Sequence, residues 1–215
     1  MTQLSLPEEF VLLLHKDGGG YHTSADHTGA AELGELVLRG RIRFEGRKLQ
    51  LVDPSPTGEQ WADTALALLA RRAGAKNKRL DAARFIQSRR GTRTTHCESL
   101  VRRGLMRCER KSLLGIGYRR YYPDTAAREA LIGELRAVAR GEQQVDNRTA
   151  LLAALSHATG LVRTWRLPKQ ELKRLKQISR GEQLGAAVEA VVASAAAAVA
   201  AGTIAATTAA TTGGS

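Results

Sequence analysis

The sequence predicts a mainly α fold, a single helical-bundle domain over residues 1–201 with two short β-hairpins, one of them protruding. Hydrophobic residues make up 43% of the 215 residues but aromatic residues only 4%, so the core must consist mainly of Leu, Val, Ile and Ala side chains, which suit close helix packing. Apolar residues recur at helical spacing along most of the chain, whereas strict alternation is confined to two short stretches. A domain of this size buries roughly 70% of its unfolded surface, so it needs no metal or disulfide to be stable.

The N-terminal elements are two helices and a hairpin. Ser5-Leu6-Pro7-Glu8 has the spacing of a capping box and opens a helix that runs through the apolar stretch 10–14. The segment 16–20 ends it, and a second helix over 30–38 is followed by Gly40, a typical left-handed C-cap. Residues 42–51 alternate between apolar and polar, which predicts the first hairpin.

The middle of the chain contains a third helix, marked by Trp61 and the apolar residues of 65–69, then a stretch from Leu80 to Ser88, a break near Gly91 and a helix from about Thr94 to Arg103. A second hairpin follows. Its tip lies within Ser112–Gly117, its return strand covers 118–122, and Pro123 ends it.

The remainder is predicted to be helical. Thr125 and Asp146 are the expected N-caps of two helices, and Gly141 is the expected C-cap between them. Two further helices are expected over about 169–179 and 183–201, followed by a frayed Thr/Ala/Gly-rich tail at 202–215.

The positive charge of the chain is concentrated in one segment. Residues 71–120 contain 16 Lys and Arg but only three acidic residues, whereas the other 165 residues hold 17 basic and 18 acidic ones. The entire net charge of +12 therefore comes from less than a quarter of the chain. A cluster of this kind predicts an anionic partner.

The motifs of nucleotide-dependent and metal-dependent enzymes are missing from the sequence. It has neither GxxxxGK[ST] nor GxGxxG, its two cysteines form no CxxC pair, and His22 and His27 in a Gly-rich loop have no third ligand at a fixed spacing. We therefore expect no catalytic residues, no metal and no cofactor. The N-terminus also lacks the pattern of a secretion signal, which favours the cytoplasm.

Two features of the basic segment point to a membrane surface. Arg90 and Arg93, three residues apart, would lie on the same side of a helix or tight turn and present two guanidinium groups to one phosphate. The uncharged hairpin tip containing Leu113, Leu114 and Ile116 is flanked by cations on both sides. Such a tip can enter a bilayer while its cations contact anionic headgroups. A hairpin packed on the protein body or on another subunit would explain the same tip.

A winged-helix DNA-binding regulator is the alternative prediction. A helix, Gly104 and a basic hairpin are also the order of elements in that fold. Its recognition helix would offer few residues that read bases, namely Thr94, Thr95, His96, Glu98 and Ser99. An apolar tip is also poorly suited to contact DNA phosphates.

Five motifs in order make the chain similar to the Golgi phosphoprotein 3-like family. They are the segment Leu33-Gly34-Glu35-Leu36-Val37-Leu38-Arg39-Gly40-Arg41-Ile42, then Pro56-Thr57-Gly58, then Leu100-Val101-Arg102-Arg103-Gly104-Leu105, the apolar hairpin, and Leu155-Ser156-His157-Ala158. The resemblance implies a peripheral membrane protein without catalytic activity that binds phosphatidylinositol 4-phosphate. It also implies self-association through the hairpin and protein clients, and a Golgi location in eukaryotic members.

The resemblance assigns the headgroup to a pocket that this sequence matches in part. Two of its arginines fall on Arg90 and Arg93, but Gly29 stands at the position of a third, and Gly20 or Tyr21 stands near a tryptophan position. Tyr21 is the aromatic residue expected at that site. The Ala- and Arg-rich composition resembles that of a bacterial member, for which another anionic phospholipid could be the ligand.

Overall fold

Eight α-helices, a short 3₁₀-helix and three small antiparallel sheets make up the part of the chain that the computed structural model describes, residues 3–23, 27–45, 48–74, 76 and 78–179. The helices are α1 (Leu6–Leu14), α2 (Thr28–Leu38), α3 (Gln60–Ala73), α4 (Ala82–Ser88), α5 (Thr92–Arg102), α6 (Thr125–Arg140), α7 (Asn147–Ala158) and α8 (Lys169–Ile178), with the 3₁₀-helix at Leu161–Trp165. The strands are β1 (His15–Lys16), β2 (Gly20–Tyr21), β3 (Ile42–Glu45), β4 (Lys48–Leu51), β5 (Leu80–Asp81), β6 (Met106–Leu113) and β7 (Ile116–Pro123). The mainly helical prediction is confirmed, while the predicted helix at 183–201 and the tail at 202–215 lie outside the described residues.

Helix α1 lies at the centre of the molecule. Every residue from Leu6 to Leu14 is buried, and the helix packs against α2, α5, α6 and α7. An uninterrupted apolar stretch requires such burial, because a helix that is apolar on all sides has no face to present to water. Helix α8 packs against α6 and α7, which both contact α1, and the three helices complete the core.

The two glutamates in the first turn of α1 are buried and hydrogen-bonded. The Glu8 carboxylate accepts from the Ser5 backbone N–H (2.8 Å), from the Ser99 hydroxyl (2.7 Å) and from Arg103 Nη1 (2.9 Å). Burial alone would raise the pKa of Glu8, but these donors outweigh it, and its pKa lies below the ordinary value. The carboxylate predicted to cap α1 thus also ties this helix to α5.

Several boundaries differ from the prediction. Asp124 is the N-cap of α6, and its side chain accepts from the Ala127 N–H at 2.7 Å, so Thr125 is the first helical residue. The segment after α1 forms a third hairpin, β1–β2, which the sequence did not reveal because its strands have two residues each. The short strand β5 joins the first predicted hairpin and makes a three-stranded sheet, β3-β4-β5. The remaining predicted caps, Gly40, Gly141 and Asp146, are confirmed.

The long hairpin β6–β7 protrudes from the helical body. The strands pair in register from Met106 opposite Pro123 to Leu113 opposite Ile116, so the turn consists of Leu114 and Gly115. Both turn residues have positive φ, +51° and +80°, as a type I′ turn requires. Nothing in the described part of the chain is a helix long and apolar enough to cross a bilayer.

Candidate headgroup-binding and membrane-contact site

Three arginines lie at the corner between α4 and α5, and each has a different environment. Gly91 occupies the corner with φ +92°, a conformation that favours glycine, and α5 begins directly after it. Arg89 is buried before the corner, Arg90 is exposed, and Arg93 is buried in the first turn of α5. Arg90 and Arg93 therefore lie on either side of a helix break, rather than on one helix.

Arg89 is held inside the protein by Glu32 of α2. Its Nε and Nη2 donate to the two carboxylate oxygens at 2.6 Å and 3.0 Å, and His96 Nε2 lies 2.9 Å from Glu32 Oε1. The Glu32 side chain is fully buried. Burial alone would raise its pKa, but the hydrogen bonds from His96 and Arg89 outweigh burial, and the pKa lies below its ordinary value. The guanidinium of Arg89 is thus used to neutralise a core carboxylate and to join α4 to α2.

Arg93 stacks on Tyr21. Its guanidinium carbon lies 4.2 Å from the centre of the Tyr21 ring, which is a cation–π contact. The Tyr21 side chain remains 42% exposed, while Arg93 is only 7% exposed. Tyr21 also contacts the buried His15 ring edge-on, at 4.7 Å between ring centres. The structure therefore brings two of the three predicted headgroup residues, Arg93 and Tyr21, into contact.

Gly29 is packed so tightly that a side chain does not fit in this arrangement. A Cβ at this position would lie 2.9 Å from the Cβ of Arg89 and 3.2 Å from the carbonyl oxygen of Ile86. Helices α2 and α4 approach each other closely at this point. Position 29 therefore has no arginine, but Arg89, which sequence reasoning did not single out, lies next to it. Glu32 was the available signal, because a carboxylate between the apolar residues of α2 requires a cationic partner.

The β1–β2 turn connects Tyr21 to the base of the long hairpin. Arg120 donates from Nε to the Gly19 carbonyl (2.5 Å) and from Nη2 to the Gly18 carbonyl (2.6 Å). A Cβ on Gly19, which has φ +72°, would lie 2.6 Å from the ring of Tyr122. Strand β7 of the hairpin is therefore in direct contact with the β1–β2 turn that precedes Tyr21.

The long hairpin is linked to α5 at two places. Its base joins the C-terminal end of α5, whereas Arg119, further up strand β7, pairs with Glu98 in the middle of the helix. From Arg119 to Ile116 the strand extends about 10 Å further towards the tip. From Glu98 to Arg93 the helix extends about 8 Å towards its N-terminus. The Arg119–Glu98 pair thus links the outer half of the hairpin to the middle of α5.

The tip itself is apolar and exposed. Leu114 is 95% exposed, Ile116 73% and Leu113 66%, and Tyr118 next to them is 44% exposed. The type I′ turn favours Asn, Asp or Gly, so a leucine with φ +51° is unfavourable both for the backbone and for its solvation. Packing of the tip on the protein body is wrong for the described chain, whereas packing on another subunit stays a prediction.

The residues that would read DNA bases in a winged helix are mostly occupied by internal contacts. His96 is buried against Glu32, the Ser99 hydroxyl donates to Glu8, and Glu98 pairs with Arg119. Thr94 and Thr95 are exposed. Within the described residues, no group of three or more His, Cys, Asp or Glu side chains could hold a metal ion.

Comparison with protein families matches the chain to the Golgi phosphoprotein 3 (GPP34) family over residues 6–195. The chain belongs to this family. Golgi phosphoprotein 3 proteins are known as peripheral Golgi proteins that bind phosphatidylinositol 4-phosphate and act as non-catalytic adaptors. No match was found among curated proteins. Membership confirms the resemblance drawn from the five motifs, and it implies association with a membrane surface.

Proposed function

We propose that this Golgi phosphoprotein 3 family member is a peripheral membrane adaptor that binds anionic phospholipid, with phosphatidylinositol 4-phosphate as the first candidate. Arg90, Arg93 and Tyr21 would hold the headgroup, while Leu113, Leu114 and Ile116 would enter the bilayer. The observation that carries the proposal is the exposed apolar tip of a hairpin that is linked to α5, the helix that bears Arg93.

The first turn of α5 has the chemistry of an anion site. A helix N-terminus carries partial positive charge, and the first turn of α5 contains no acidic residue. The cationic Arg93 adds a full charge there, and the Tyr21 ring fixes its orientation by stacking. Arg90 lies on the surface directly before the helix and can reach a phosphate without a change in the fold. The buried Arg89 is not part of this site, because Glu32 neutralises it.

The tip supplies the apolar part of the membrane contact. A fully buried Leu or Ile side chain gains roughly 1.5–3 kcal/mol on leaving water, so three such residues can hold the hairpin in the acyl boundary. The cations nearest the tip, Lys111 and Arg119, are exposed along the strands and pair with Glu109 and Glu98 at the surface. Each cation near an anionic leaflet contributes about 1 kcal/mol. Membrane attachment through both the apolar tip and the cations is therefore stronger than through either one alone.

The test is sedimentation with vesicles of phosphatidylcholine alone, with phosphatidylglycerol, or with phosphatidylinositol 4-phosphate. Leu114→Asp should lower binding to every anionic vesicle at least tenfold, since it removes apolar burial and adds a charge. Val52→Asp is the matched control, because Val52 is also an exposed apolar residue (55%) but lies outside the hairpin. Equal binding of the two variants would overturn the role of the tip.

The headgroup assignment is tested in the same vesicles with Arg90→Ala and the control Arg163→Ala, which removes an exposed arginine elsewhere. Arg90→Ala should weaken binding to phosphatidylinositol 4-phosphate vesicles roughly fivefold or more, and Arg163→Ala should not. Loss of phosphatidylglycerol binding by the same factor would assign the site to anionic lipid in general. If Arg90→Ala binds all vesicles as the wild type does, the headgroup site is wrong. Tight binding to duplex DNA that is indifferent to Leu114→Asp would favour the winged-helix alternative.

A further inference from the structure

We propose a second phosphate-binding site in a basic groove that lies apart from the α4–α5 corner. The groove has a volume of about 530 Å³. Its lining combines cationic, acidic and apolar side chains: Lys48, Arg72, Arg79, Leu80, Asp81, Arg84 and Phe85. The ligand would be a small group bearing phosphate, either a lipid headgroup or a soluble phosphate ester.

The fold gathers the cations of this basic groove from four separate parts of the chain. Strand β5 pairs with β4 so that Lys48 lies opposite Asp81. Arg72 belongs to the last turn of α3, Arg79 directly precedes β5, and Arg84 lies in the first turn of α4. Only the tertiary structure brings these cations together, because no two of them are neighbours in the sequence.

Most of this positive charge is not balanced inside the groove. Four cationic side chains face one carboxylate, Asp81, which accepts the Arg84 backbone N–H at 2.9 Å and so caps α4. Arg79 is paired outside the lining, with Glu45 at 2.6 Å. For Lys48, Arg72 and Arg84, the described residues provide no carboxylate at ion-pairing distance. Like charges held together in a concave surface favour the entry of an anion.

The floor of the basic groove distinguishes it from an ordinary charged surface. Phe85 is 1% exposed and Leu80 is half-buried, so an apolar base lies beneath the cationic side chains. Arginine guanidinium groups bind phosphate oxygens in a bidentate manner, and a lysine adds a compact charge. This combination suits a phosphate attached to an organic group. The groove is also separate from the headgroup site, since Arg84 lies in the first turn of α4 whereas Arg90 follows the C-terminal end of that helix.

Calorimetric titration of the full chain with inorganic pyrophosphate at low salt tests the basic groove. Arg72→Gln/Arg84→Gln should lower the affinity roughly tenfold or more, since it removes two charge-assisted contacts. Arg71→Gln/Arg163→Gln removes the same charge from exposed positions outside the lining and should retain the affinity. Arg72→Lys/Arg84→Lys should recover most of the binding. The altered arginines are exposed, so thermal unfolding should be the same in all these variants.

The two ligand sources are separated by vesicles containing phosphatidylinositol 4-phosphate. If Arg72→Gln/Arg84→Gln weakens binding both to these vesicles and to pyrophosphate, the ligand is a headgroup; if only pyrophosphate binding falls, the ligand is a soluble phosphate ester. Either result supports the basic groove. An unchanged pyrophosphate affinity, an equal loss in the control variant, or a loss confined to duplex DNA would overturn it. Arg90→Ala, which tests the headgroup site, should leave the contribution of the basic groove to pyrophosphate binding intact, so the two proposals fail separately.

Discussion

Replacement of Arg89 by methionine should destabilise the protein far more than replacement of its neighbour Arg90. Glu32 is fully buried and has two partners, the cationic Arg89 and the imidazole of His96. Removing one partner of a buried ion pair typically costs 3–5 kcal/mol, because the remaining charge stays in a poorly solvated site. Since His96 remains at 2.9 Å, we expect a cost near the lower limit, about 3 kcal/mol. In a domain of this size that corresponds to a fall in Tm of roughly 6–12 °C.

The assay is urea unfolding followed by tryptophan fluorescence, with Trp61 and Trp165 as reporters. Arg90→Met is the control and should lie within about 0.5 kcal/mol of the wild type, because Arg90 is exposed. The double variant Arg89→Met/Glu32→Gln should recover part of the loss, since the unpaired charge is removed. If Arg89→Met costs less than about 1 kcal/mol, the buried pair is not what joins α4 to α2.

The pH dependence of Arg89→Met has a defined sign. In the wild type the pKa of Glu32 is lowered, so its contribution to stability is present above the ordinary carboxyl pKa and is lost as the pH falls. Without Arg89, burial is opposed only by His96, so the pKa of Glu32 should rise and the variant should lose stability as the pH rises above the ordinary carboxyl value. The difference in unfolding free energy between the two proteins should therefore widen from pH 5 to pH 8. A constant difference over this range would contradict the assignment.

Three further predictions concern the core. Gly29→Ala should lower the free energy of unfolding by about 1–3 kcal/mol, because its Cβ would lie 2.9 Å from the Cβ of Arg89. Gly133→Ala, in an open helical position, is the control and should not destabilise the protein. Equal losses for the two variants in urea unfolding would contradict the close packing at Gly29. Burial raises the pKa of Glu9 to about 7, so the wild type loses stability as the pH rises from 4.5 through 7. Over this range the free energy of unfolding of Glu9→Gln, measured with urea, should increase relative to that of the wild type. Burial lowers the pKa of His15 to about 4, so the wild type loses stability as the pH falls from 6.5 towards 4. The free energy of unfolding of His15→Gln should increase relative to that of the wild type over this range. A pH-independent difference in either variant would show that the group keeps its ordinary pKa.

The local parts of the fold could be predicted because neighbouring residues encode them. The apolar stretch of α1, the caps at Gly40 and Asp146, and the turn of the long hairpin each depend on a few consecutive residues. The exposure of Leu114 was decided only by the structure, since the sequence left open whether the tip packs on the protein body. Strands of two residues, such as β1 and β2, carry too little pattern to be found in this way.

The roles of the individual arginines were decided only by tertiary structure. The sequence determined that the basic segment concentrates the charge, that Arg90 and Arg93 lie three residues apart, and that an apolar tip follows. It could not tell that Arg89 turns inwards while Arg90 remains at the surface, because the deciding partner, Glu32, is 57 residues away in the chain. The cations of the basic groove likewise meet only when β5 pairs with β4. The physical reason is that burial and pairing of a charge depend on which distant side chains share its space, and sequence spacing carries no information about that space.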